Sequence, residues 1–134
     1  MIIGADYGPS ADIWSVACVA YELATGRFLF AAQADERGSV TENHVALIEA
    51  LLGAAPKHLA LAGHLSSGPY ASDGRLRAAL RVPPVRLQQL LTKEAELDAP
   101  AAAKFAEFLE FLLQLDWKKR PTALEALQHP WMKI

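Results

Sequence analysis

The densest hydrophobic pattern in the chain lies over residues 11–25, where Ile13, Trp14, Val16, Ala17, Cys18, Val19, Ala20, Leu23 and Ala24 leave few polar positions between them. Ser10 stands where an N-cap belongs, and Gly26 is the residue type suited to a left-handed C′ position, so a helix is predicted over Ala11–Thr25. Apolar residues run nearly all round this cylinder, which is the pattern of a core post with other elements packed around most of it and Trp14 as an anchor. Ahead of it, Ile3 to Pro9 holds two glycines and a proline and is predicted as a loop.

The later pattern is helical but thinner. Arg27 to Thr41 begins with the aromatic patch Phe28-Leu29-Phe30 and continues as a polar surface loop. A second helix is predicted from Asn43 to Leu52, with Val45, Ile48, Leu51 and Leu52 on one face and Gly53 as its stop. From Pro56 to Pro84 short apolar pairs alternate with glycine and proline, which gives irregular turns and one brief helix. Pro83-Pro84 opens a third helix over Val85 to Glu94. Asp98 caps a fourth, in which Phe105, Phe108, Leu109, Leu112 and Leu113 recur at helical spacing. Thr122 and Glu125 have the spacing of a capping box at the start of a last short helix, before His129-Pro130-Trp131. No segment alternates like a strand, and 25 Ala with 20 Leu in 134 residues favour helix, so the fold class is all-α.

Composition narrows the function classes. At 52% hydrophobic and 21% charged the chain is globular, and its length suits one domain. Thirteen Lys+Arg against fifteen Asp+Glu leave no basic excess to hold a phosphate backbone, which argues against direct nucleic-acid binding. Ser15, Tyr21 and Glu22 break the longest apolar stretch, so no membrane span is expected, and the first residues lack the basic and apolar regions of a secretory signal. One cysteine, Cys18, excludes a disulfide framework and reads as a small buried hydrophobe in a reducing, intracellular setting. No Gly-x-Gly-x-x-Gly after a strand, phosphate-binding Gly-Lys loop, His-Glu-x-x-His or nucleophile elbow occurs. His44, His58, His64 and His129 are too scattered for a ligand set and read as surface or capping residues, while Glu107 and Glu110 read as a solvated helix face. No catalytic, cofactor-binding or metal-binding residue is assigned.

Three segments nevertheless resemble one family. Asp12-Ile13-Trp14-Ser15 is similar to the Asp-x-Trp-Ser that opens the central C-lobe helix of protein kinases, with Ala17 where most kinases have Gly. Residues 41–53, from Thr41-Glu42-Asn43-His44 to Leu52-Gly53, resemble the acidic, His-containing helix of the SR-protein kinases, the serine/threonine kinases of arginine-serine-rich splicing factors. Lys119-Arg120-Pro121-Thr122-Ala123 with His129-Pro130-Trp131 is similar to the family's closing signature. The resemblance implies that residues 1–134 are the back half of a helical C-lobe, from the central helix to the last. The Gly-rich loop, strand lysine, catalytic loop and metal-binding Asp-Phe-Gly that phosphoryl transfer needs have no counterpart in the sequence.

The expectation is therefore a piece of a kinase whose parent transfers the γ-phosphoryl of ATP, with Mg²⁺, to Ser or Thr of arginine-serine-rich proteins, in cytoplasm and nucleus and in regulation of splicing. The piece itself is expected to be inactive and to hold no cofactor, with the missing upstream kinase half as a partner. Asp12 fits two roles, a dipole-favoured acid in a first helical turn or, by resemblance, an anchor for the catalytic loop. Arg120 matches an arginine that pairs, buried, with the glutamate of Ala-Pro-Glu. A buried guanidinium without a partner costs several kcal/mol, so Arg120 is expected either exposed or in need of a segment outside the chain. The family's groove for basic, arginine-rich substrates places acids at positions that fall here on Arg27, Asn43 and Ala50. Glu42 and Glu49 stand beside Asn43 and Ala50, and Asn43, Glu42 and Glu49 are the docking candidates, with solvated helix acids as the other reading of the two glutamates. Two rival functions stay open, a non-catalytic protein-binding module and a degraded kinase copy. In the latter the post is uncovered on one side, and each wet large apolar side chain forfeits roughly 1.5–3 kcal/mol of a total near 5–15.

Overall fold

The computed structural model describes residues 8–133. Most of the Ile3–Pro9 loop expected from the sequence lies outside them. Among the described residues there are helices and turns with two isolated β-bridges and no strands, and they form two compact units, Phe30–Pro84 and Gly8–Leu29 with residues 85–133.

The second of these units is built on α5 (Ala99–Leu112), whose Ala102, Phe105, Ala106, Leu109 and Leu112 form a buried stripe at helical spacing. Asp98 starts the helix as expected, its carboxylate accepting from Ala101 N at 2.8 Å. α1 (Ala11–Thr25) and α4 (Leu87–Glu94) pack against α5. α4 begins two residues later than the proline pair suggested, because Arg86 is extended. Trp131 in the closing 3-10 turn (Pro130–Met132) lies flat against Phe105 and Phe108, with ring centres 4.8 and 4.7 Å away. His129 fixes that turn by accepting from Trp131 N through Nδ1 at 3.1 Å, which is the capping role expected of a lone histidine.

α1 is a post on one side only. It buries the stripe Ile13, Ala17 and Tyr21, while Val16, Val19 and Leu23 on its other face are 51%, 52% and 82% exposed. Within its unit α1 is covered by α5 and by the Tyr21–Glu94 hydrogen bond to α4, so the central position falls to α5 instead. Its ends follow the sequence in part. Gly26 takes the left-handed conformation (φ 70°) and donates to Glu22 O, but the Ser10 hydroxyl does not cap the helix and donates to Trp117 O at 2.8 Å.

The unit Phe30–Pro84 closes its core between α2 (Val40–Leu52), the single turn α3 (Lys57–Ala60) and the turns beyond, through Val45, Ala46, Ala60, Tyr70, Leu76 and Leu80. α2 starts three residues before its expected position. Ser39 and Glu42 form a capping box, with Glu42 N donating to Ser39 Oγ at 3.2 Å and Ser39 N to Glu42 Oε2 at 3.1 Å. The weakly patterned 56–84 stretch is irregular as expected, yet it supplies Ala60, Tyr70, Leu76 and Leu80 to that core.

Candidate functional site

The residues singled out in the sequence lie in two places. On α2, Asn43 faces inward one turn after the cap and is 3% exposed. Its Nδ2 donates to Gln33 O at 2.7 Å, Asp35 Oδ1 at 2.9 Å and Gly38 O at 3.2 Å, latching the 33–38 turn to the helix. Its buried Oδ1 has no partner among the described residues. Asp35 also accepts from Arg37 N at 2.8 Å and pairs with the Arg37 guanidinium at 2.8 Å. Hydrogen bonds from Arg37 and then Asn43 hold the Asp35 carboxyl far below the usual carboxylate range.

Glu49 lies two turns further along α2, half-buried, with Oε1 accepting from Ala55 N at 2.9 Å and from Tyr70 Oη at 3.0 Å. Burial, and then the charge of Glu49, push the Tyr70 hydroxyl well above its ordinary value. Glu42, Asn43 and Glu49 are thus all engaged in bonds inside their own unit, and neither glutamate is simply a solvated helix acid. His44, beside them, is half-buried with its ring 5.7 Å from Phe30, and burial lowers its pKa.

Beside Glu49 the same unit has an open cleft of about 520 Å³, with Ala46, Ala50 and Leu76 among its apolar lining and Lys57, Arg75 and Arg81 at its walls. Sequence reading missed these three cations. Nothing in local periodicity gathers residues from α3 and two later turns around one helix end.

Arg120 and Trp14 meet in the other unit. The guanidinium carbon is 5.1 Å from the centre of the Trp14 ring. Nε and Nη2 donate to Gln114 O at 3.0 and 2.7 Å, and Nη1 donates to Ser10 O at 3.3 Å. Arg120 is half-buried, and that burial lowers its pKa against the opposing charge of Asp116. The sequence posed exposure or an outside carboxylate as its two options. The structure uses a third, in which backbone carbonyls and an aromatic face engage part of its donor set. Asp12 sits in the first turn of α1 with its side chain exposed. Cys18 is half-buried, and its thiol is pushed up by that burial. Among the described residues no group of histidines, cysteines and carboxylates is placed to hold a metal, and no helix is long and apolar enough to cross a membrane.

A helical chain whose Asp-x-Trp-Ser helix end and Arg-Pro-Thr segment meet through Arg120 has the architecture of a kinase C-terminal lobe, and the protein kinase domain model matches residues 1–132. The chain belongs to the protein kinase domain family. It is 40% identical over 132 residues to "SRSF protein kinase 3" of Homo sapiens, covering 98% of this chain and 23% of that protein. It is 39% identical over 132 residues to "Serine/threonine-protein kinase spk-1" of Caenorhabditis elegans (98% and 13%). It is 38% identical over 135 residues to "Serine/threonine-protein kinase SKY1" of Saccharomyces cerevisiae (99% and 18%). The chain therefore spans less than a quarter of these relatives and resembles SR-protein kinases throughout its length.

Proposed function

We propose that the chain is the rear of the C-lobe of a serine/threonine kinase that phosphorylates arginine-serine-rich proteins with Mg²⁺ and ATP, and that phosphoryl transfer is carried out by residues outside it. The observation that carries this is the 40% identity to a kinase named for SRSF proteins, maintained over 98% of the chain. ATP and Mg²⁺ belong, in this reading, to the complete parent, since this sequence has neither the Gly-rich loop nor the Asp-Phe-Gly that would hold them. Asp12 and Arg120 serve the parent by supporting its catalytic loop and its Ala-Pro-Glu segment. Asn43, Glu42 and Glu49 are held by internal bonds, so the reading assigns the grip on arginine-rich substrate chiefly to other parts of the parent. The parent would work in nucleus and cytoplasm, in the regulation of splicing.

The test pairs two assays. The chain alone, given Mg·ATP and an arginine-serine peptide, should transfer no phosphate, and turnover by it would overturn the assignment of catalysis to other residues. The chain joined to the upstream part of its own reading frame should phosphorylate that peptide, and failure to do so would count against the kinase parent. A second reading, a non-catalytic binding module, is favoured by one observation, the cleft beside α2.

A further inference from the structure

The turn that follows α5 brings one aromatic ring against the backbone ahead of α1. Asp116 shapes that turn, its Oδ1 accepting from Lys118 N at 3.0 Å and its carbonyl from Lys119 N at 3.0 Å. Trp117, the next residue, meets the chain at Gly8 and Ser10. Its ring lies so close to Gly8 that a Cβ there would overlap it, so glycine is a steric requirement at this position. Its carbonyl accepts from the Ser10 hydroxyl at 2.8 Å and from Arg120 N at 3.4 Å. Arg120 holds Ser10 at a second point, with Nη1 donating to Ser10 O at 3.3 Å. The Lys118 ammonium stands 5.6 Å from the centre of the indole, a cation–π attraction on the same ring. Gly8 O and Ser10 O in turn accept from Ala11 N and Ile13 N, each at 3.1 Å, and Asp12 stands between those two amides. The two residues that Trp117 touches therefore supply the first backbone bonds of α1.

We propose that Trp117 is a positioning residue for phosphoryl transfer by the parent kinase, its ring on Gly8 and its carbonyl on Ser10 setting where the chain enters α1 and so where Asp12 stands. The proposal rests on the kinase reading, in which Asp12 supports the catalytic loop, and adds to it a residue that acts only through the backbone of Gly8 and Ser10. A side-chain cap would fix the first helical turn locally. Ser10 makes no such cap, and its hydroxyl is committed to a carbonyl 107 positions away along the chain. A change at Trp117 should therefore displace Asp12 without altering it.

Amide hydrogen exchange of the full chain reads this lock directly. Trp117→Leu removes the flat ring, and Gly8→Ala keeps Trp117 but puts a methyl where its ring lies. Each should speed exchange at Ala11 and Ile13 by about tenfold and leave Ala106 on α5 unchanged, and Trp117→Phe should keep most of the protection. The reaction is read in the chain joined to the upstream part of its own reading frame, with Mg·ATP and an arginine-serine peptide. There Trp117→Leu and Gly8→Ala should lower kcat about tenfold with KM for ATP within about twofold, and Trp117→Phe should restore most of kcat. Exchange at Ala11 and Ile13 that ignores both variants, or equal acceleration at Ala106, would overturn the lock. Unchanged kcat in both variants, or a loss that Trp117→Phe does not relieve, would overturn the positioning role while the kinase reading stands. A joined wild-type chain without activity would overturn the kinase reading and this role together.

Discussion

A primary amide has two N–H groups, and Asn43 shares its pair among three oxygens from the 33–38 turn while almost wholly out of water. Removing the amide leaves those oxygens to find other donors, and Asn43→Ala should lower stability by about 1–3 kcal/mol in a urea melt. The same change should raise the Asp35 pKa toward the ordinary carboxylate value, since one of its two side-chain donors is lost, and a carboxyl NMR titration reads this directly. The sign follows from the depressed folded pKa. Whatever Asp35 contributes is complete above the ordinary value and drains away as pH falls below it toward the folded one, so in Asn43→Ala that loss ends at a higher pH. None of this was legible in the sequence, where Asn43 stood out only through its family position. Its partners Gln33, Asp35 and Gly38 sit in a stretch without periodicity, so nothing local pointed inward. Arg120 is the complementary case. Its identity was readable from Arg-Pro-Thr, but the carbonyls of Gln114 and Ser10 that receive it depend on where two chain segments meet.

Helix starts show why some local signals are read and others passed over. Thr122 and Glu125 precede a plain Ala-Leu helical run, and the capping box was legible; Ser39 and Glu42 have the same spacing and the same bonds, but β-branched Val40 and Thr41 stand between them and look like loop. The two boxes should respond alike. Ser39→Ala and Thr122→Ala should each cost about 1 kcal/mol in chemical denaturation, and Ser39→Gly only a few tenths. α1 and α5 show the limit of hydrophobic pattern as a guide to position. Both are strongly apolar, and α1 the more evenly so, yet α5 is the one surrounded within its unit by α1, α4 and the closing 3-10 turn. The 56–84 stretch errs the other way, since its turns carry little pattern but bring Tyr70, Leu76 and Leu80 onto α2.

At the scale of the whole molecule the all-α class, the helix order and the kinase resemblance were all legible, because they rest on long periodic runs and three spaced motifs. The uncovered face of α1 is itself measurable. In the isolated chain Val19→Asn, at a 52% exposed position, should change stability by no more than about 0.5 kcal/mol, while Ala17→Leu, at a fully buried one, should cost about 1–3 kcal/mol. If Val19→Asn proved the costlier in thermal melts of both variants, the exposed face would be covered and the account of α1 would be wrong.

The most direct test of the central claim, that this chain is the rear of a kinase lobe whose chemistry lies elsewhere in its parent, is to sequence the transcript in frame upstream of Met1. The account predicts a Gly-rich loop, a strand lysine, His-Arg-Asp, Asp-Phe-Gly and an Ala-Pro-Glu whose glutamate is available to Arg120. A stop codon ahead of Met1 with no such half before it would contradict the claim.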